Sequence, residues 1–328
     1  MQLPEGIIDE IFALSAGDDA SFEALWQSIA AYQIEKCNVY GRYCKSIGAQ
    51  SPPFLPIEAF KHQPLTTFPP EEAVAVFQSS GTGSGVRSKH YVKDLQIYEQ
   101  SIYSAFLSFF GDGPYTLLAY LPHYQQMGQA SSLLYMIKYL IESHGDQLSG
   151  FYYGHEKELN DVVASLSDDS KPIVFGAAFG LLDLIDQSPI SLPQHAVVVE
   201  TGGMKTYRKE VTRAELQQQL ASSLGVTEKQ IWSEYGMCEL LSQAYATGGS
   251  VFHPPPWMRF KIMDPEMPLE EVGEGNPGAL AIVDLANIHS VSAILTQDRA
   301  IKRGNGFEVL GRLSGAELRG CNFLLEKA

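Results

Sequence analysis

Ser79-Ser80-Gly81-Thr82-Gly83-Ser84-Gly85-Val86-Arg87-Ser88-Lys89 follows directly on the apolar run Ala73-Val74-Ala75-Val76-Phe77. The run reads as a buried strand that ends at a turn signal. Seven consecutive small residues then free the backbone for positive φ and for close approach to a ligand. Successive N–H groups in such a turn form an anion-binding nest, and the hydroxyls, Arg87 and Lys89 supply further donors. The composition therefore points to a phosphate-cradling loop at the end of a strand, with a flexible surface loop as the alternative.

Three familiar patterns fail at this stretch. Val86 stands where the second glycine of a Walker loop is needed and also where the third glycine of a dinucleotide-binding turn is needed. Thr82 stands two before Ser84, where an esterase elbow needs glycine.

The elements around the loop alternate. Residues 7–46 carry helical spacing, with Phe22, Leu25, Trp26, Ile29 and Tyr32 on one face and Ser21 as the expected cap. Prolines punctuate 51–70 into an irregular approach. His90–Val92 reads as a short strand, and Asp94 as the cap of a helix bearing Leu95, Tyr98, Ile102, Phe106 and Phe109. Further strand runs lie at Thr116–Leu121, Pro172–Gly176 and Ala196–Glu200, with helical stripes between them, the pattern of parallel α/β layering. Thr212-x-x-Glu215 and Thr227-x-x-Gln230 are capping-box spacings. From Trp257 onward, short strand runs alternate with Gly, Pro and Asn turns, which predicts a smaller antiparallel sheet or barrel.

The bulk numbers bound the function. At 328 residues the chain holds about two domains or one large α/β unit. A net charge of −15 argues against a nucleic-acid binder and against a polybasic membrane-surface protein. No apolar run approaches the ~20 residues of a membrane span. Cys37, Cys44, Cys238 and Cys321 show neither paired nor zinc spacing, so free thiols are expected. With no signal-peptide pattern at the N-terminus, the expectation is a soluble cytoplasmic protein.

Three further constellations carry chemistry. Strand Ala196–Glu200 runs into Gly202-Gly203, whose flat backbone suits a planar ring at the carboxyl edge of a parallel sheet, though a plain βα turn reads the same. Ile231–Glu239 ends in Tyr235-Gly236-Met237-Cys238-Glu239; a carboxylate beside a phosphate site calls for a bridging Mg2+, whereas alone it reads as a solvated helix start. Asp298 ends the run Leu295–Asp298 with an acceptor suited to ribose hydroxyls, and Gly311-Arg312 ends another strand with a fork donor.

In this order the motifs resemble the adenylate-forming superfamily of acyl-CoA synthetases, peptide-synthetase adenylation domains and luciferases. Leu121-Pro122, Ser131–Met136 and Leu318-Arg319-Gly320-Cys321-Asn322 are most similar to its LuxE-like acyl-protein synthetases, over about Phe77 to Cys321. The fold the resemblance implies is α/β: layered parallel sheets flanked by helices, plus a smaller antiparallel sheet or barrel. Residues 1–312 would form the large domain (a lead-in at 1–70, the α/β core at 71–256, a β region at 257–312), with 313–328 a remnant after the hinge.

The resemblance also implies roles. Ser79, Ser80, Gly81, Thr82, Gly83, Ser84, Gly85 and Arg87 would hold the ATP phosphates. Gly202, Gly203, Tyr235 and Gly236 would serve the adenine, Asp298 and Arg312 the ribose, and Glu239 the Mg2+. His123, Met127 and Met136 become acyl-pocket candidates, with a core role as the alternative. Cys321 stands where that group carries an acyl-accepting cysteine; it also suits a buried terminal strand. The implied partners are a small-molecule carboxylate and an acyl carrier, CoA or acyl-acceptor protein. Cys238 departs from the family's threonine, and Leu313-Ser314 departs from its acids after Gly-Arg. Only sixteen residues follow Arg312, too few for the mobile lobe with its catalytic lysine, so Lys89, Lys205 or Arg87 would have to substitute. The expected activity is ATP-dependent activation of a fatty or related acid; the alternative is a nucleotide- or acyl-binding protein without catalysis.

Overall fold

A computed structural model describes residues 2–48, 51–79, 86–122, 130–201 and 212–313. The chain opens with α1 (Ile7–Phe12), α2 (Asp19–Lys36) and α3 (Asn38–Ile47), then β1 (Leu55–Pro56) and the single turn α4 (Ala59–His62). Strands β2 (Ala75–Gln78) and β3 (Lys89–Val92) precede α5 (Leu95–Phe110). An alternating run follows: β4 (Tyr115–Tyr120), α6 (Ser132–His144), β5 (Gly150–Phe151), α7 (Glu156–Ser165), β6 (Lys171–Ala177), α8 (Ala178–Gln187), β7 (Val197–Thr201), α9 (Arg213–Leu224) and β8 (Ile231–Tyr235). Short strands β9 (Ala244–Ala246) and β10 (Val251–Phe252) lead to β11 (Met258–Met263), β12 (Pro277–Asp284), β13 (Ala293–Arg303) and β14 (Gly306–Arg312).

The chain divides into two units. The first comprises Met1–Ala105, Met237–Gln243 and His253–Ala328; the second comprises Phe106–Gly236 and Ala244–Phe252.

The second unit is built on a sheet in the order β5-β4-β6-β7-β8-β9, parallel throughout except for the antiparallel edge strand β9. β4 is buried along its whole length, as a strand covered on both faces must be. Leu118, Val174, Val198 and Ile231 of the sheet pack with Leu181, Leu216, Leu220 and Leu224 of the helices in one core. The helix ends follow the sequence signals. Ser131 accepts the Leu134 N–H at 3.3 Å. Thr212 and Glu215 form the expected reciprocal box, and Gly225 ends α9 at φ 74°. The box at Thr227 and Gln230 caps a single 3-10 turn.

The first unit carries the antiparallel sheet in the order β11-β12-β13-β14, with β1 running parallel to β13. Met263, Ala279, Ala281, Leu295 and Leu313 pack together in a core cluster. Three expectations need correction in this unit. Asp18, not Ser21, caps α2: its carboxylate accepts the Ser21 N–H at 3.1 Å, so the helix starts two residues before Ser21. The run preceding the glycine loop is not a buried core strand, because β2 pairs with β3 alone; Phe77 is buried while Val74 is 61% exposed. Asp298 does not end its strand either; β13 continues to Arg303.

Among the described residues no helix is long and apolar enough to cross a membrane.

Candidate functional site

The β2–β3 hairpin presents the glycine loop from a pinned neck. Ser79 N–H donates to the Ser88 carbonyl at 3.2 Å, and Ser88 N–H donates back to Ser79 Oγ at 3.1 Å. Phe77 pairs with His90 and Gln78 with Lys89, so alternation buries Phe77 and His90 and turns Lys89 outward. Arg87 is exposed as well. Both cations stand at the open end of the hairpin neck, free of the desolvation cost that burial would impose.

Glu239 lies in the segment Met237–Gln243, which belongs to the first unit and is neither helix nor strand. Its backbone is held by buried side chains instead. His90 donates from Nδ1 to the Cys238 carbonyl at 2.8 Å, and Asn287 donates from Nδ2 to the Glu239 carbonyl at 2.8 Å. Asp284 accepts from Leu241 N–H at 2.9 Å and from the Ser242 hydroxyl at 2.6 Å. Burial pushes the His90 pKa down to about 4, against the smaller opposing pull of the Cys238 carbonyl, so the ring is neutral near pH 7. A carbonyl can only accept, so the proton sits on Nδ1. Burial also drives the Cys238 thiol well up, with Glu239 adding to the shift, which keeps this cysteine an inert thiol. Glu239 itself is buried at 5% exposure.

Asp298 and Arg312 face each other across the β13–β14 ladder, with Arg312 Nε 3.0 Å from Asp298 Oδ1. The ladder slips between Arg299 and Ala300, leaving Leu310 as an extra residue opposite, and Gly311 absorbs the kink at φ 125°. The bulge is what returns Arg312 to register with Asp298. Thr296 bridges the sheet from within, donating to the Leu280 carbonyl at 2.8 Å and accepting the Asp298 N–H at 3.1 Å.

In the second unit, β7 and β8 end side by side at the carboxyl edge of the sheet. Thr201 pairs with Glu234 in register, and its hydroxyl donates to Glu234 Oε2. Burial raises the Glu234 pKa to about 7; the Thr201 bond draws it partly back, and the neighbouring Glu200 adds a smaller upward push. Burial also raises the Glu200 pKa, with Arg213 opposing. Tyr235 is 9% exposed. It packs against Phe252 at 5.6 Å between centroids, and the Arg213 guanidinium lies 4.6 Å over the Phe252 ring. Gly236 follows as the last residue of this stretch of the unit. Met136 is buried in α6.

Ser80, Gly81, Thr82, Gly83, Ser84, Gly85, His123, Met127, Gly202, Gly203, Lys205 and Cys321 lie outside the described residues. Among the described ones, the first unit joins the loop-bearing hairpin to the Glu239 segment and pairs Asp298 with Arg312. His90, Asn287, Asp284, Thr201 and Glu234 were not singled out by sequence reasoning. The available signal was parity: in Lys89-His90-Tyr91-Val92 the histidine shares the buried face with Val92.

Glu239 would offer a Mg2+ one protein carboxylate. No group of three or more His, Cys, Asp or Glu that could hold a metal occurs among the described residues, so no all-protein cage exists there. A single carboxylate fits an ion that takes most of its remaining ligands from phosphate and water.

This architecture recurs in solved structures. An open conformation of 2-hydroxyisobutyryl-CoA ligase, in complex with 2-HIB-AMP and CoA, aligns with a TM-score of 0.68 at 11% identity, covering 92% of this chain and 71% of that one. An ATP-bound RpMatB-BxBclM chimera aligns at 0.55 and 15% identity, over 75% of this chain and 49% of that one. McyG A-PCP in complex with phenylalanyl-adenylate gives 0.54 and 15%, over 75% and 48%. The chain thus spans about half the length of the latter two. The fold is that of the large N-terminal domain of adenylate-forming ligases. Residues 129–328 match the family described as acyl-protein synthetase, LuxE, and the chain belongs to that family. No curated protein gives a significant sequence match.

Proposed function

We propose that this protein activates a carboxylic acid with ATP, forming an acyl-adenylate and releasing pyrophosphate, with a fatty or related acid as substrate. The observation that carries the reading is the link inside the first unit. The hairpin that bears the Ser79–Lys89 loop is bonded through His90 to the residue preceding Glu239, so anion donors and the lone carboxylate ride on one connected framework. Family membership supports the reaction class.

In this proposal the substrate carboxylate attacks the α-phosphate in line. The chain supplies position and charge stabilisation rather than covalent chemistry. Ser79, Arg87 and Lys89, with the loop between them, hold the phosphates. Tyr235 and Gly236, with Gly202 and Gly203, serve the adenine, and Asp298 and Arg312 the ribose. Glu239 would hold Mg2+, which neutralises phosphate charge when bound. Lys89, Arg87 and Lys205 are the candidates for the cation that offsets charge at the reacting phosphate. Met136, His123 and Met127 are the acyl-pocket candidates, and Cys321 is the candidate acceptor of the acyl group ahead of a carrier, CoA or an acceptor protein.

Carboxylate-dependent exchange of pyrophosphate into ATP, across a panel of fatty and aromatic acids, tests the reaction. Exchange with at least one acid is the expected result. ATP binding with no exchange across the panel would instead support a nucleotide-binding protein without catalysis. A Cys321→Ser protein that still keeps labelled acyl groups after denaturation removes the acyl-enzyme step and leaves adenylation standing.

A further inference from the structure

We infer that His90 and Asn287 are positioning residues that together fix the direction in which Glu239 leaves the backbone. The inference rests on the proposed role of Glu239. The Cys238 carbonyl belongs to the peptide plane before the Glu239 Cα, and the Glu239 carbonyl belongs to the plane after it. His90 pins the first plane and Asn287 pins the second, each at 2.8 Å. With both flanking planes tethered, φ and ψ of Glu239 are restrained, although the segment has no regular structure to hold them.

The clamp is itself anchored. Asn287 donates a second bond to the Val291 carbonyl at 3.1 Å, and its own carbonyl accepts from Gln33 Nε2 of α2 at 3.0 Å. His90 is held by β3 and by the edge of Phe60, with 5.8 Å between ring centroids. His90 and Asn287 are buried at 1% and 0% exposure, so the two bonds compete with little solvent. His90 also follows Lys89 and lies two residues beyond Ser88 in the loop neck. The strand that orients the phosphate donors therefore orients the carboxylate as well. Residues that orient a metal-holding side chain in this way commonly change metal affinity by about 10- to 100-fold when replaced.

The test uses His90→Leu, His90→Asn, His90→Gln and Asn287→Leu, with Leu220→Ala of the second unit as a destabilised control. The Asn amide nitrogen stands as many bonds from the backbone as Nδ1, and the Gln amide nitrogen as many as Nε2, so only Asn restores the donor to Cys238. Hydrogen exchange in the peptide covering 237–243 should quicken about tenfold or more in both Leu variants and in His90→Gln, and stay near wild type in His90→Asn and in the control. The Mg2+ concentration that half-saturates ATP binding, read by calorimetry, should rise about tenfold in the same three variants. If His90→Leu does not fold, the Asn–Gln pair carries the comparison.

Unchanged hydrogen exchange at 237–243, or an equal change in the control, overturns the clamp whether or not the protein binds ATP. Faster exchange with an unchanged Mg2+ requirement overturns the positioning role. Wild-type protein that binds Mg·ATP without pyrophosphate exchange overturns the ligase reading alone, since the clamp is judged by the other two measurements.

Discussion

Each unit buries a carboxylate, and the two are kept on different terms. Asp284, in the first unit, accepts the Leu241 N–H, the Ala286 N–H and the Ser242 hydroxyl. Glu234, in the second, accepts the Thr201 hydroxyl alone among the described residues. Burial pushes Asp284 up to about 6 and Glu234 up to about 7. Asp284 is a joint whose three donors favour the anion, while Glu234 has one bond to hold it. Burial raises both groups; what differs between them is the number of preorganised donors, three against one.

The largest effect should come from Asp284→Ala. It strands two backbone N–H groups and a hydroxyl in the interior, and a loss of about 3 kcal/mol in urea unfolding at pH 7 is expected. A loss below about 1 kcal/mol would show that its donors are not what fixes this region.

Glu234 should reveal itself through pH. Its folded pKa lies above the unfolded 4.5, so its contribution to stability is complete below pH 4.5 and is lost as pH rises through about 7. The total is roughly 3 kcal/mol. Glu234→Gln should flatten the fall in melting temperature between pH 6 and pH 8; a slope identical to wild type would break the contrast. Asp284 has the same sign over a lower window, from 3.8 to about 6, and the raised Glu200 shares the sign, so the Glu234→Gln difference isolates the part that Glu234 contributes. His90 has the opposite sign: depressed from 6.5 to about 4, it contributes stability above pH 6.5 that is lost as pH falls through 4.

Thr201→Val removes the only described donor to Glu234. A loss of about 1 kcal/mol at pH 8 is expected, together with an upward move of the Glu234 titration seen by carboxyl-selective NMR. The smallest effect should be that of Arg312→Ala. Its side chain is 63% exposed. Its ion pair with Asp298 should therefore contribute less than about 1 kcal/mol, while weaker ATP binding would report the proposed ribose role.

The features legible in the sequence were those written within one or two turns of chain. Helical spacing of Phe22, Leu25, Trp26 and Ile29 gave α2, the Thr212 and Glu215 pair gave the start of α9, and the apolar runs gave the parallel strands. Gly311-Arg312 stood out as a strand ending in a fork donor; the positive φ of Gly311 at the bulge came only with the structure. What stayed hidden depends on distant partners. His90 and Cys238 are 148 residues apart, and Asn287 reaches Glu239 across 48, so no window of sequence contains either bond. Asp298 reads as the acid ending the run Leu295–Asp298; the strand goes on, and Thr296 and Gln297 before it bond to Leu280 and Glu58, far off in sequence.

The chain leaves the second unit after Gly236 and re-enters it at Ala244, with Met237–Gln243 counted in the first. For a ribosome, this means that a part of the fold made early is completed late. The β2–β3 hairpin emerges with His90 exposed and waits for Cys238. Gln33 waits 254 residues for the carbonyl of Asn287. No single scission of the gene can yield the first unit whole. A fragment stopped at Gly236 would carry the glycine loop and its neck yet leave His90 and Gln33 without their Cys238 and Asn287 partners, an open seam that invites chaperones and proteases until Asn287 has been made.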